Sequence, residues 1–161
     1  MKIQTCFLLV TALLFSAAHA QTDCSNPVQA KATVLGVDGF LEAYFKDNRH
    51  KRISHDQEVD ALVDKMIAQG KWKAEQKAPF FLRIVKSDEF QRIESEKMTE
   101  LAVFNTAVQN MLAQREKQDF AKACVNVPDI ARTVARMREL GDTQHSMLLE
   151  RISGVAKANG I

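Results

Sequence analysis

Side chains that could do chemistry are few and scattered in this 161-residue chain. His50 and His55, with Asp56 and Glu58 beside them, carry the right atoms for a metal site. Helical metal sites want ligands on one face at i and i+4. His50 and His55 do not have that spacing, and a helix-capping turn intervenes between them. Solvated loop histidines are therefore the expectation, and no metal ligand or cofactor is assigned. Asp56, Asp60 and Asp64 recur every four residues, a carboxylate row flanking the apolar face of its helix. Such a row either meets a basic partner surface or solubilises the flank, and Asp56 also suits the positive end of a helix dipole. Just before it, Lys46, Arg49, Lys51 and Arg52 make a compact basic stretch, taken up again by Lys71 and Lys73 around Trp72. The only tryptophan of the chain, set between two lysines, reads as an exposed anchor for a partner. Lys46, Arg49, Lys51, Arg52, Asp56, Asp60, Asp64 and Trp72 together form the candidate partner-binding set.

Catalytic constellations are harder to find. Glu94-Ser95, within Gln91-Arg92-Ile93-Glu94-Ser95, resembles the Glu-Ser pair of lytic transglycosylases, helical periplasmic enzymes that use one Glu as the acid. The resemblance covers two residues, and no Gly-Leu-Met-Gln type segment follows. A glycosidic acid needs a carboxyl whose pKa is raised by an apolar or paired setting, whereas Glu96 and Glu100 surround Glu94 with charge. A solvated helix face is the expectation there. The chain has no G-x-S-x-G, H-E-x-x-H, phosphate-binding glycine loop, haem-attachment or calcium-loop pattern. No catalytic residue is assigned, and a non-enzymatic role is expected.

Residues 1–20, MKIQTCFLLVTALLFSAAHA, read as a cleaved secretory signal peptide. Lys2 precedes a short uncharged core, and Ala18-His19-Ala20 supplies the small residues at −3 and −1. The run is short for a bilayer span, which takes about 20 apolar residues. Cys24 is not placed at the cleavage point, so no lipid anchor is expected, and the periplasm is the expected address. The mature chain is then 141 residues (161 minus 20), the size of one domain. Loss of Lys2 leaves 21 basic and 20 acidic side chains (22 minus 1, against 20), too balanced to attract nucleic acid or an anionic membrane.

Cys6 leaves with the signal peptide, so Cys24 and Cys124 remain, and an oxidising compartment favours a bridge between them. Neither belongs to a Cys-x-x-Cys pair, so a structural staple is expected rather than a redox centre.

The elements that must position these residues read as helices. The stretch 87–124 carries Met98, Leu101, Phe104, Val108, Met111 and Leu112 at steps of three and four, one apolar stripe on a long helix running on to Cys124. Before it, Val28–Val37 reads as a first helix that Gly36 and Gly39 weaken. Asp38 is a plausible cap for a second, with Phe40, Leu41, Tyr44 and Phe45 at helical spacing. Lys46–Arg52 reads as a loop, closed by a capping box at Ser54 and Gln57. The next helix buries Val59, Leu62, Val63, Met66 and Ile67 and stops at Gly70. Pro79–Val85 has strand-like composition but no partner strand, so a helix facing the core with Phe81, Ile84 and Val85 is preferred. After Asn126 and Pro128, one helix with Ile130, Val134, Met137 and Leu140 ends at Gly141. Another, capped by Asp142 or Thr143, buries Met147, Leu148, Ile152 and Val155 and ends at Gly160. The expectation is one all-α domain over 21–161, an irregular bundle of about six helices around one long helix, with one disulfide.

The functions open to such a chain work through its surface. The first is an exported binder that neutralises another protein, on the pattern of periplasmic immunity proteins against antibacterial toxins. The alternatives are a periplasmic chaperone or stress protein and a cell-wall hydrolase acting through Glu94. Oligomeric state is not legible in the sequence.

Overall fold

The structure, a computed structural model, describes residues 23–158. The expected signal peptide and the expected stop at Gly160 lie outside the described residues. All regular structure in the described chain is helical. It consists of α1 Pro27–Ala68, a 3-10 turn Ala74–Gln76, α2 Lys77–Val85, α3 Asp88–Glu116, the five-residue α4 Phe120–Cys124 and α5 Val127–Ala158. Four of these are helices of nine residues or more, rather than about six. The all-α expectation holds, and Pro79–Val85 is helix rather than strand. No described helix is long and apolar enough to cross a membrane.

Side-chain caps mark where α1, α3 and α4 begin. Asn26 Oδ1 accepts from the Val28 and Gln29 amides at 3.0 and 3.2 Å, with Pro27 in the first helical position. Ser87 Oγ accepts from the Phe90 amide at 3.4 Å, and Asp88 and Glu89 fill the acidic first turn of α3. Asp119 caps α4 through the Lys122 amide at 3.1 Å.

Two ends share one device. Gly70 takes φ 68°, with its amide on the Ile67 carbonyl and that of Lys71 on the Met66 carbonyl. Gln118 takes φ 59°, with its amide on the Arg115 carbonyl and that of Asp119 on the Gln114 carbonyl. Both are left-handed C-terminal caps of the Schellman type. The first stands where Gly70 leads one to expect it. The second corrects the long helix: the 87–124 stretch breaks at Gln118, a side chain that does not advertise a left-handed cap.

The other corrections run the opposite way, since expected breaks are absent. Gly36, Gly39, the basic run 46–52 and the Ser54–Gln57 box all lie inside α1, and Gly141 lies inside α5. A glycine inside a helix costs about 1 kcal/mol, too little to end one held by packing along its length. The face of α1 turned inward follows alternating steps of four and three: Ala30, Val34, Val37, Leu41, Tyr44, Asn48, Lys51 and His55, every one buried or half-buried. Its α3 counterpart is Ile93, Lys97, Glu100, Phe104, Ala107 and Met111, and its α5 counterpart Ile130, Thr133, Met137, Leu140, Gln144 and Met147. Such heptad-like seams keep one face of a long helix inward. Met98, expected in the stripe, is 61% exposed, and Leu101 also faces out.

The chain forms two compact units. The first combines residues 23–40 with Val103–Thr133. Its core is Ala30, Val34, Val37, Phe104, Ala107, Met111, Ala123 and Ile130, and the Thr133 hydroxyl donates within its own helix to the Asp129 and Ile130 carbonyls. The Cys24–Cys124 disulfide is present, joining the residue pair expected from the sequence, with Cys124 fully buried. Arg115 pairs with Asp38 at 2.9 Å, and Lys31 lies over the Phe120 ring at 5.5 Å. The second unit combines Leu41–Ala102 with the chain from Val134 onward. Its core gathers Val59, Val63, Met66, Trp72, Phe80, Ile84, Met147 and Ile152. On α2 the inward residues are Phe80 and Ile84; Phe81 is half-buried and Val85 is exposed.

Candidate functional site

Within the second unit the inward seams turn polar. Asn48, Lys51 and His55 on α1, Lys97 and Glu100 on α3 and Gln144 on α5 occupy positions where a bundle ordinarily places aliphatic side chains. Polar groups out of water need partners, and Lys51, Lys97 and Gln144 find theirs across helices. Lys51 Nζ donates to Asp142 at 2.6 Å. Arg138 pairs with Asp47 at 2.9 Å, and Arg136 bridges Glu96 to Glu139. Lys97 Nζ donates both to Glu94, at 3.0 Å, and to the Gln144 carbonyl oxygen, at 2.8 Å, while the Gln144 amide donates to Glu94. His145 Nε2 meets Glu58 Oε2 at 2.8 Å, and the His55 and His145 rings stack with centroids 3.7 Å apart. Among the described residues no buried side-chain N or O atom lacks a partner.

The electrostatics of Glu94 follow from this belt. Its hydrogen bond from Gln144, helped by Lys97, holds the carboxyl below the usual carboxylate range against the opposing pull of burial. A glycosidic acid requires the opposite shift. Glu94 is thus a half-buried, paired anion, not the solvated residue that its neighbours imply. His55 is held below the ordinary imidazole value, first by burial and then by the charge of His145. Among the described residues no three His, Cys, Asp or Glu side chains are placed to hold a metal.

The candidate partner-binding residues divide. Lys46, Arg49, Arg52, Asp56, Asp60 and Asp64 are exposed on α1, with Asp60 holding Lys77 at 2.8 Å. Lys51 turns inward to Asp142. Trp72 is a correction: it is 6% exposed and packs edge-on against Phe80 at 4.9 Å, so it is core and no surface anchor. The turn at Gly70 carries the indole back under α2 while Lys71 and Lys73 flank it, and two neighbouring charges say little about the direction of the side chain between them. In its place α1 itself offers apolar groups. Phe45 and Ile53, 51% and 49% exposed, share a face with Arg49, Arg52 and Asp56 at spacings of four, seven, eight and eleven residues. The sequence reading missed these two, together with Asp142, Gln144 and Lys97. Phe45 and Ile53 become recognisable as outward only once Lys46–Arg52 is known to be helix.

A groove of about 1080 Å³ also opens over Phe80, Ile84 and Met147, rimmed by Arg83 and by Arg151, which pairs with Glu89 at 3.1 Å. Its charges are balanced and single out no ligand. Comparison with protein-family models, curated proteins and solved structures finds no match to this chain.

Proposed function

We propose that the mature chain is an exported, non-catalytic protein that binds and neutralises a partner protein, in the manner of a periplasmic immunity protein facing an antibacterial toxin. The observation that carries this reading is the α1 face of Phe45, Arg49, Arg52, Ile53 and Asp56, where two large apolar side chains stand half-exposed among charges of both signs. Interfaces commonly pair apolar anchors that supply affinity with surrounding charges that steer encounter. The polar belt beneath supports the reading further, because Lys51–Asp142 and Arg138–Asp47 tie this stretch of α1 to α5 and preorganise its outer face. Arg49 and Arg52, together with the apolar pair, replace Trp72 as the residues on which binding is placed.

Reversing both arginines (Arg49→Glu with Arg52→Glu) is expected to weaken partner binding, chiefly by slowing association, and to leave the melting temperature nearly unchanged. Cells lacking the protein are expected to lose protection when the toxin reaches their periplasm. Full survival of the deletion strain in competition would overturn the proposal. So would cell-wall cleavage by the purified protein that disappears in Glu94→Gln.

A further inference from the structure

The His55–His145 contact joins α1 to α5 within the polar belt by ring stacking rather than by charge pairing. The ring planes lie 3° from parallel with centroids 3.7 Å apart, His55 on α1 and His145 on α5, both within the second unit. Uncharged imidazoles stack well at that separation, and a single proton is tolerated because its charge faces a neutral ring. Two protons set like charges face to face in a partly desolvated place.

The groups around the pair decide what a second proton meets. From α1, Lys51 lies one turn before His55 and is already paired with Asp142, while Glu58 accepts from Nε2 of His145 when that nitrogen is protonated. From α5 come Asp142 and, next to His145 in sequence, Gln144. From α3, Glu94 and Lys97 neutralise one another and both engage Gln144. Each of these carboxylates is already shared with a cationic or imidazole partner, so Asp142 and Glu58 favour a proton on His55 only in part. Burial and the His145 charge outweigh Asp142 and Glu58 in holding His55 below the ordinary imidazole value.

We propose that the stacked pair is an acid-sensitive latch, joining α1 to α5 while His55 is neutral and loosening the second unit as the pH falls through the imidazole range. The sign follows from linkage. The unfolded chain takes up the His55 proton at the ordinary imidazole value, about 6.5, before the folded chain does. Stability is therefore full above that value, declines below it, and stops declining once the folded His55 has itself titrated. The latch is independent of what the protein binds and stands or falls on its own experiment.

Thermal unfolding is compared between about pH 7.5 and about pH 5.5, on either side of the imidazole range. The wild type is expected to melt lower at the acid end. His55→Phe, which keeps an aromatic ring against His145 but cannot take a proton, is expected to lose at least half of that drop. His50→Phe, at an exposed histidine of the same helix, is expected to keep it. An equal drop in the wild type and His55→Phe overturns the latch. Should His55→Phe not fold, the histidine ring protons of the wild type are titrated by NMR. His55 is expected to titrate below the ordinary imidazole value, and titration at or above it overturns the proposal.

Discussion

Trp72 shows how far a side chain can depart from the company it keeps in sequence. Flanked by Lys71 and Lys73, it nevertheless lies under α2 against Phe80, in the cluster that also holds Met66, Ile84 and Ile152. A buried indole contributes through its large apolar area and leaves a cavity when removed. Trp72→Ala is expected to destabilise the protein by about 3–5 kcal/mol in urea unfolding. A surface anchor would shift stability by less than about 0.5 kcal/mol, so a change that small would return Trp72 to the surface. Glu94 makes the same point for charge. Glu96 and Glu100 suggest solvent around it, yet the groups that set its state, Gln144 and Lys97, come from the next turn of α3 and from another helix.

Helix ends separate local from collective control. Gly70 ends α1 because the left-handed cap favours a residue without a Cβ, and the 42 residues before it continue through two glycines and a basic run because an inward seam holds them. The same substitution should therefore act in opposite directions at two glycines. An added Cβ meets no heavy atom within 4 Å at Gly70 or at Gly141, so backbone conformation alone decides each outcome. Gly70→Ala forces alanine to φ 68° and is expected to cost about 1–2 kcal/mol. Gly141→Ala sits inside α5 and is expected to add about 1 kcal/mol of stability. Chemical denaturation of the two variants checks both signs. A destabilised Gly141→Ala would mean that the chain turns at Gly141, as a reading by local punctuation expects.

At the scale of the whole chain, the disulfide ties the stretch just before α1 to the last residue of α4. Cys24 and Cys124 are 100 residues apart in sequence. In the chain-entropy account, closing a loop of that length stabilises by up to about 4.7 kcal/mol through its effect on the unfolded ensemble. The purified protein is expected to show no free thiol on titration under denaturing conditions. Reduction, or Cys124→Ser, is expected to lower the melting temperature. Two reactive thiols per chain, or equal melting temperatures, would contradict this.

Three things were decided by the sequence itself. The all-α class follows from apolar steps of three and four, with no second strand candidate to pair with Pro79–Val85. The stop at Gly70 and the start at Asn126–Pro128 follow from residues whose backbone preferences act locally. The pairing of Cys24 with Cys124 follows from there being no other cysteine beyond the first 20 residues. The remainder depended on packing. Lys46–Arg52 resembles a loop because its inward positions, Asn48 and Lys51, are polar, and only Asp142 on another helix makes a lysine there tolerable. The break at Gln118 is equally hidden, since a non-glycine left-handed cap has no local signature. His55 and His145, 90 residues apart (145 minus 55), form one stack only when α1 and α5 lie side by side. Local preferences act within a few residues and are legible one stretch at a time. A buried polar group is stabilised by whichever partner the fold brings to it, and that partner was fixed by tertiary structure alone.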